Sequence, residues 1–192
     1  MEYRLDTLLI SITAHVKNVG SIFFAISSYI NARCYYMKID WKKLIVSIAI
    51  PLGVGLIAGW ITSDSTDMFE TINKPPLAPQ AWLFPVAWTV LYVLMGIAFY
   101  RVWTAVATNE RRKEAFLFYG AQLLFNFVWP IIFFNLKEFL FAFVWLLILW
   151  VLILLTQRRF SKIDRVAGYL FIPYLLWVAF AGYLNFGIWW LN

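Results

Sequence analysis

Five long apolar runs shape this chain, and none of them alternates polar with apolar positions at a period of two. They are Leu44 to Ile61, Trp82 to Trp103, Ala115 to Phe134, Phe139 to Leu155 and Val166 to Leu191. A helix rises about 1.5 Å per residue, so about 20 apolar residues cross the ~30 Å core of a bilayer. Backbone in lipid must satisfy its own hydrogen bonds, as helices or as a closed barrel, and runs without alternation predict helices. The expected fold class is therefore an all-α membrane protein, a five-transmembrane-helix bundle. Lys137-Glu138 reads as a tight hairpin between the third and fourth spans, and the other inner links are compact and charged. The first link, Thr62 to Ala81, is long enough to have its own role as a lid or binding loop.

Composition strengthens the membrane reading. Hydrophobic residues make up 63% and charged residues 14% of the 192 positions, where a soluble domain carries about 25% charged residues. Fourteen of the sixteen Lys and Arg fall before the first span or at the second and fourth links, leaving Lys74 and Lys137 on the other side. The positive-inside rule places the N-terminus inside and the long first loop and C-terminus outside, in a bacterial cell membrane. The net charge of +6 then expresses topology and attraction to anionic lipid, and no nucleic-acid partner is expected. Residues 1–36 form no clean span: Asp6, His15 and Lys17 interrupt their apolar patches. We read them as an N-terminal extension, either an interfacial helix or a segment ahead of an alternative start at Met37, and 37–192 as the five-helix domain.

One Cys and one His, both in that extension, give neither an internal disulfide nor a cluster with metal-ligand spacing. Within the spans only Met95 and tyrosines are available as axial haem ligands, so no cofactor is required by the sequence. It shows no Ser-His-Asp set, glycine-rich phosphate loop or intramembrane carboxylate pair, and no catalytic or metal residue is assigned.

The remaining chemistry is aromatic: eleven Trp, ten Tyr and eighteen Phe. Headgroup belts account for the Trp at span ends, such as Trp41, Trp82, Trp103, Trp189 and Trp190. They do not account for Trp88, roughly 9 Å below Trp82 along its helix, nor for Trp129 and Trp177. A buried indole N–H in lipid needs an acceptor. Helical spacing supplies three mixed stripes: Trp88, Tyr92, Met95 and Phe99; Gln122, Asn126, Trp129 and Pro130; Tyr174, Trp177, Ala181 and Asn185. Two readings stay open on spacing alone. The amides are interhelical glue at about 0.6 kcal/mol each with aromatic filler, or the stripes converge on a cavity in which small Ala181 leaves room. Gly55 and Gly59 add a small-xxx-small pair on the first helix, within or between protomers.

Four ordered motifs, "KPPLAP" from Lys74, "AWLFPVAWTVLYVLMGIAFY" from Ala81, "QLLFNFVWPIIFF" from Gln122 and "PYLLWVAFAGYLN" from Pro173, resemble the TspO/MBR family. This is the family of translocator proteins, tryptophan-rich sensory proteins and the peripheral-type benzodiazepine receptor. The resemblance runs from about Trp41 to Asn192. It implies a five-helix bundle, commonly a homodimer, with a cavity that opens toward the first loop and takes porphyrins, sterols or benzodiazepine-like drugs. Carried onto this chain, the pocket positions are Trp88, Asn126, Phe141, Trp177, Ala181 and Leu184, to which the stripe adds Tyr92. Phe69, Lys74, Pro75, Pro76 and Pro79 would form a lid, stiff because proline fixes φ and lacks an N–H. The chain departs from the family pattern at Gln80, at Met68-Phe69, and at Phe186 and Trp190, where the sterol motif would need a tyrosine and a basic residue. The expected function is a receptor or sensor for tetrapyrroles such as porphyrin. The alternatives are a translocator of such ligands and an enzyme-like porphyrin degradation activity.

Overall fold

The computed structural model describes residues 39–65 and 68–192. The N-terminal extension read from residues 1–36 lies outside the described residues. Helix α1 runs Trp41–Thr62 and ends in a 3₁₀ turn, Ser63–Ser65; a single helical turn, α2, follows at Met68–Thr71. Then come α3 (Leu83–Thr104), α4 (Asn109–Pro130), α5 (Phe139–Ile163), α6 (Arg165–Tyr169) and α7 (Ile172–Leu191). Five of these stretches are long and apolar enough to cross a membrane, with α6 and α7 together forming the fifth. The five-span all-α architecture expected from the runs is the one observed, and no strand occurs among the described residues.

The sequence explains where helices start, break and stop. The Thr108 side chain accepts the Arg111 N–H at the start of α4, so the third span begins earlier than its apolar run. Pro130 cannot donate to the carbonyl one turn back, and α4 widens there into a turn of π-helix over Ile131–Asn135, closed by Leu136 N–H to Ile131 O at 3.1 Å. Lys137 then takes φ 56°, which reverses the chain into α5. The fifth span is broken rather than continuous. Asp164 caps α6 by accepting the Ala167 N–H at 2.8 Å, and Pro173 restarts the helix in the first turn of α7.

Lys42–Asn192 forms one compact unit. One end of it is held by charge: Arg101, at the end of α3, grips Asp164 with Nε at 3.0 Å and Nη2 at 2.8 Å, and Arg159 of α5 reaches Glu114 of α4 at 2.7 Å. Burial raises the Asp164 carboxyl, but Arg101 and the capped N–H groups outweigh it and hold the group below the usual carboxylate range. Between α1 and α3 the backbones touch. A Cβ on Gly96 would meet Ile48 Cα at 2.5 Å and the Ser47 carbonyl at 2.8 Å, the carbonyl that Pro51 leaves without its helical donor.

Candidate ligand-binding site

The half of the bundle nearest the first loop surrounds a cavity of about 480 Å³, within the range of small-molecule sites. Its walls follow the helical repeat. Trp88 and Tyr92 are one turn apart on α3; Asn126, Trp129 and Phe133 step by three and four along α4 into its π turn; Ala181, Leu184, Asn185 and Ile188 share the inner stripe of α7. Trp88 stands among the other rings, stacked on Tyr92 at 5.6 Å, tilted to Trp129 at 6.5 Å and edge-on to Tyr174 at 6.0 Å. Helix α1 supplies the remaining wall through Leu52, Gly55 and Leu56. Gly55 is required by the fit, because a Cβ there would run into the Tyr92 ring. The small-xxx-small contact is therefore made within the chain at Gly55, while a Cβ on Gly59 would meet nothing within 4 Å.

The floor is polar and paired. The Tyr92 hydroxyl donates to Asn126 Oδ1 at 2.7 Å, Asn126 Nδ2 donates to the Tyr174 oxygen at 2.7 Å, and Tyr174 donates to Gln122 Oε1 at 3.1 Å. On the α7 side, Trp129 Nε1 donates to Asn185 Oδ1 at 3.2 Å, and Asn185 Nδ2 donates to the Phe139 carbonyl at 2.7 Å. Each of these groups would cost several kcal/mol if left alone in lipid, so partners drawn from four helices hold α3, α4, α5 and α7 in register.

The roof is the first loop. Phe69 closes over Phe84 edge-on at 5.2 Å, and Lys74 Nζ lies 4.8 Å from the centre of the Phe69 ring. Pro75 packs against Gly187, where a Cβ would come within 2.6 Å of the proline ring. The Pro76 carbonyl accepts the Tyr183 hydroxyl at 2.9 Å, and Pro79 is partly buried on the way into α3. Ala78 N–H closes back to Pro75 O at 3.3 Å around Pro76 and Leu77, with Leu77 at φ 67°, a type II turn whose first central residue is proline. Asn73 and Asn192 exchange two hydrogen bonds of 3.0 Å each, fastening the loop to the end of α7. The chamber also opens sideways. Leu56 and Trp60 of α1, and Pro85 and Thr89 of α3, line it and are exposed to the outside. Thr89 gives its hydroxyl proton to the Pro85 carbonyl at 2.7 Å, which leaves that gap apolar.

Trp88, Tyr92, Asn126, Ala181, Leu184 and Phe69 are thus brought together around one space. Phe141 is not, being 52% exposed on the outside of α5 against Trp145, and the loop residues Lys74, Pro75, Pro76 and Pro79 do not line the space either. Trp177 stands behind the wall, 6.0 Å from Phe84 and 5.8 Å from Phe180, and its buried Nε1 has no protein partner. Phe84, Phe133, Phe134 and the α1 wall line the cavity without having been singled out by spacing. For α1 the glycine pair was the signal.

An aromatic chamber beneath the first loop of five membrane helices defines an integral, multi-pass membrane protein with a small-molecule-sized intramembrane site. The chain belongs to the TspO/MBR family, whose model matches residues 47–191. It is 37% identical over 157 residues to the tryptophan-rich protein TspO of Chlorobaculum tepidum, covering 79% of this chain and 99% of that protein. With the tryptophan-rich sensory protein of Cereibacter sphaeroides it shares 36% over 150 residues, covering 78% and 91%. With the translocator protein of Bos taurus it shares 31% over 155 residues, covering 80% and 92%.

Proposed function

We propose that this protein is a membrane receptor or sensor for flat aromatic ligands of the tetrapyrrole class, taken up in the chamber beneath the first loop. The observation that carries the reading is the pairing of an aromatic wall, Trp88 stacked on Tyr92 with Trp129 tilted beside it, with a neutral polar floor at Asn126 and Tyr92. A planar macrocycle stacks on such walls, and its polar edge meets hydrogen-bonding groups rather than ions: among the described residues the lining has no acid or amine side chain. The sideways gap between α1 and α3 gives a hydrophobic ligand a route from the acyl chains. That opening also favours the second reading, carriage between bilayer and outer face. The family resemblance supports a homodimer, and the bias of basic residues supports an N-terminus inside and a roof outside.

The test is a tryptophan-fluorescence titration with protoporphyrin in lipid nanodiscs. Saturable quenching is expected from the wild type. Ala181→Phe fills the space beside a buried, 5% exposed position and is expected to weaken binding at least tenfold, with Trp88→Phe weakening it less, by roughly 0.5–1.5 kcal/mol. Gly120→Ala, in open space and away from the chamber, serves as the control. Unchanged titration curves in Ala181→Phe would rule out this chamber as the site. Flux of the same ligand between liposome populations distinguishes carriage from reception.

A further inference from the structure

Along the chain of hydrogen bonds that starts at Tyr92, each proton is given away from the cavity. Tyr92 gives its proton to Asn126, Asn126 donates to Tyr174, Tyr174 donates to Gln122, and Gln122 Nε2 faces Met95 Sδ at 3.9 Å. Gln122, Tyr174 and Met95 are 0% exposed and Asn126 is 3% exposed, so water does not intervene to reset the order. The lower end sets the direction. A thioether only accepts, so Met95 draws the Gln122 N–H and turns Oε1 toward Tyr174. Tyr174 must then donate downward and accept from above, which turns Asn126 Oδ1 toward Tyr92. A phenol has one proton; with it committed to Asn126, Tyr92 presents only oxygen lone pairs to the chamber.

We propose that Gln122, which does not touch the chamber, is a positioning residue that sets the hydrogen-bonding sense of the site, so that Tyr92 acts as an acceptor and the chamber favours flat ligands carrying an N–H or O–H donor. The inference rests on the ligand-site reading above. Asn126 keeps one further N–H in either sense of the chain, so the Tyr92 oxygen is the group whose character changes. When Gln122 is replaced by an apolar residue, the old sense strands the Tyr174 proton in the core. Reversal relieves this: Tyr174 donates to Asn126, Asn126 to Tyr92, and the Tyr92 proton turns into the chamber, where a ligand can take it.

Carbazole and fluorenone, rigid tricyclic rings of similar shape with a donor N–H and an acceptor C=O respectively, are the probes, titrated by tryptophan quenching in nanodiscs. The wild type is expected to favour carbazole. Gln122→Leu is expected to shift the ratio of the two dissociation constants about tenfold toward fluorenone, and Tyr92→Phe to bring it close to one while both probes still bind. Met95→Leu, a near-isosteric change that removes the acceptor orienting Gln122, is expected to move the ratio in the same direction as Gln122→Leu, and it carries the test if the latter does not fold. Binding of both probes with a ratio that neither Gln122→Leu nor Met95→Leu alters overturns the directional chain alone. Failure of both probes to quench the wild type overturns the ligand site and this inference with it.

Discussion

A glycine's missing side chain decides the shape of the chamber. Gly55 lets the Tyr92 ring lie against α1, and that ring in turn carries the Trp88 stack and the hydroxyl bonded to Asn126. Gly55→Ala should therefore displace Tyr92 and cost about 1–3 kcal/mol by overpacking, with weaker ligand binding. Gly59→Ala, four residues on and in open space, should leave the thermal midpoint unchanged. Thermal unfolding of the two variants in the same detergent checks the pair, and equal midpoints would contradict the packing described.

Elements are joined differently at the two ends of the bundle. At the chamber end they meet through rings and neutral amides; at the opposite end Arg101, Asp164, Arg159 and Glu114 tie α3 to the α5–α6 link and α5 to α4. Because the folded Asp164 carboxyl titrates below its ordinary value of 3.8, its contribution to stability is complete above that pH and is lost as pH falls through the lower, folded value. Asp164→Asn keeps an acceptor for the Ala167 N–H but removes the charge. It should lower stability by up to about 1 kcal/mol at pH 7, and the difference from wild type should vanish in acid. A difference that persists at pH 2 would mean the loss comes from the cap rather than from the ion pair. Gly96 plays the matching part between α1 and α3, where two backbones lie too close for any side chain.

The whole molecule is polar along the membrane normal: basic residues and ion pairs gather at one end, and the roof and chamber at the other. The positive-inside rule predicts that the basic end lies inside and that the chamber faces outward. In a Cys34→Ser background, a membrane-impermeant maleimide should label Asp64→Cys in intact cells and Lys162→Cys only after lysis; both positions are exposed. The reverse pattern would invert the topology and turn the roof to the inside.

Much of this was legible in the chain because lipid leaves a backbone few options. Unbroken apolar runs had to be helices, and Trp88, Asn126 and Ala181 had to face inward if their stripes met at all. Periodicity assigns a residue its angle on its own helix; it does not say which helix stands opposite or how far each has rotated. Those choices belong to tertiary packing. Packing turned Phe141 outward, set Trp177 behind Phe84, brought α1 into the wall through Gly55, and put two tyrosines from different helices on Asn126. The physical reason is that ring volumes and scarce hydrogen-bond partners in lipid are matched only in three dimensions, where each buried donor takes whichever acceptor the neighbouring helix presents.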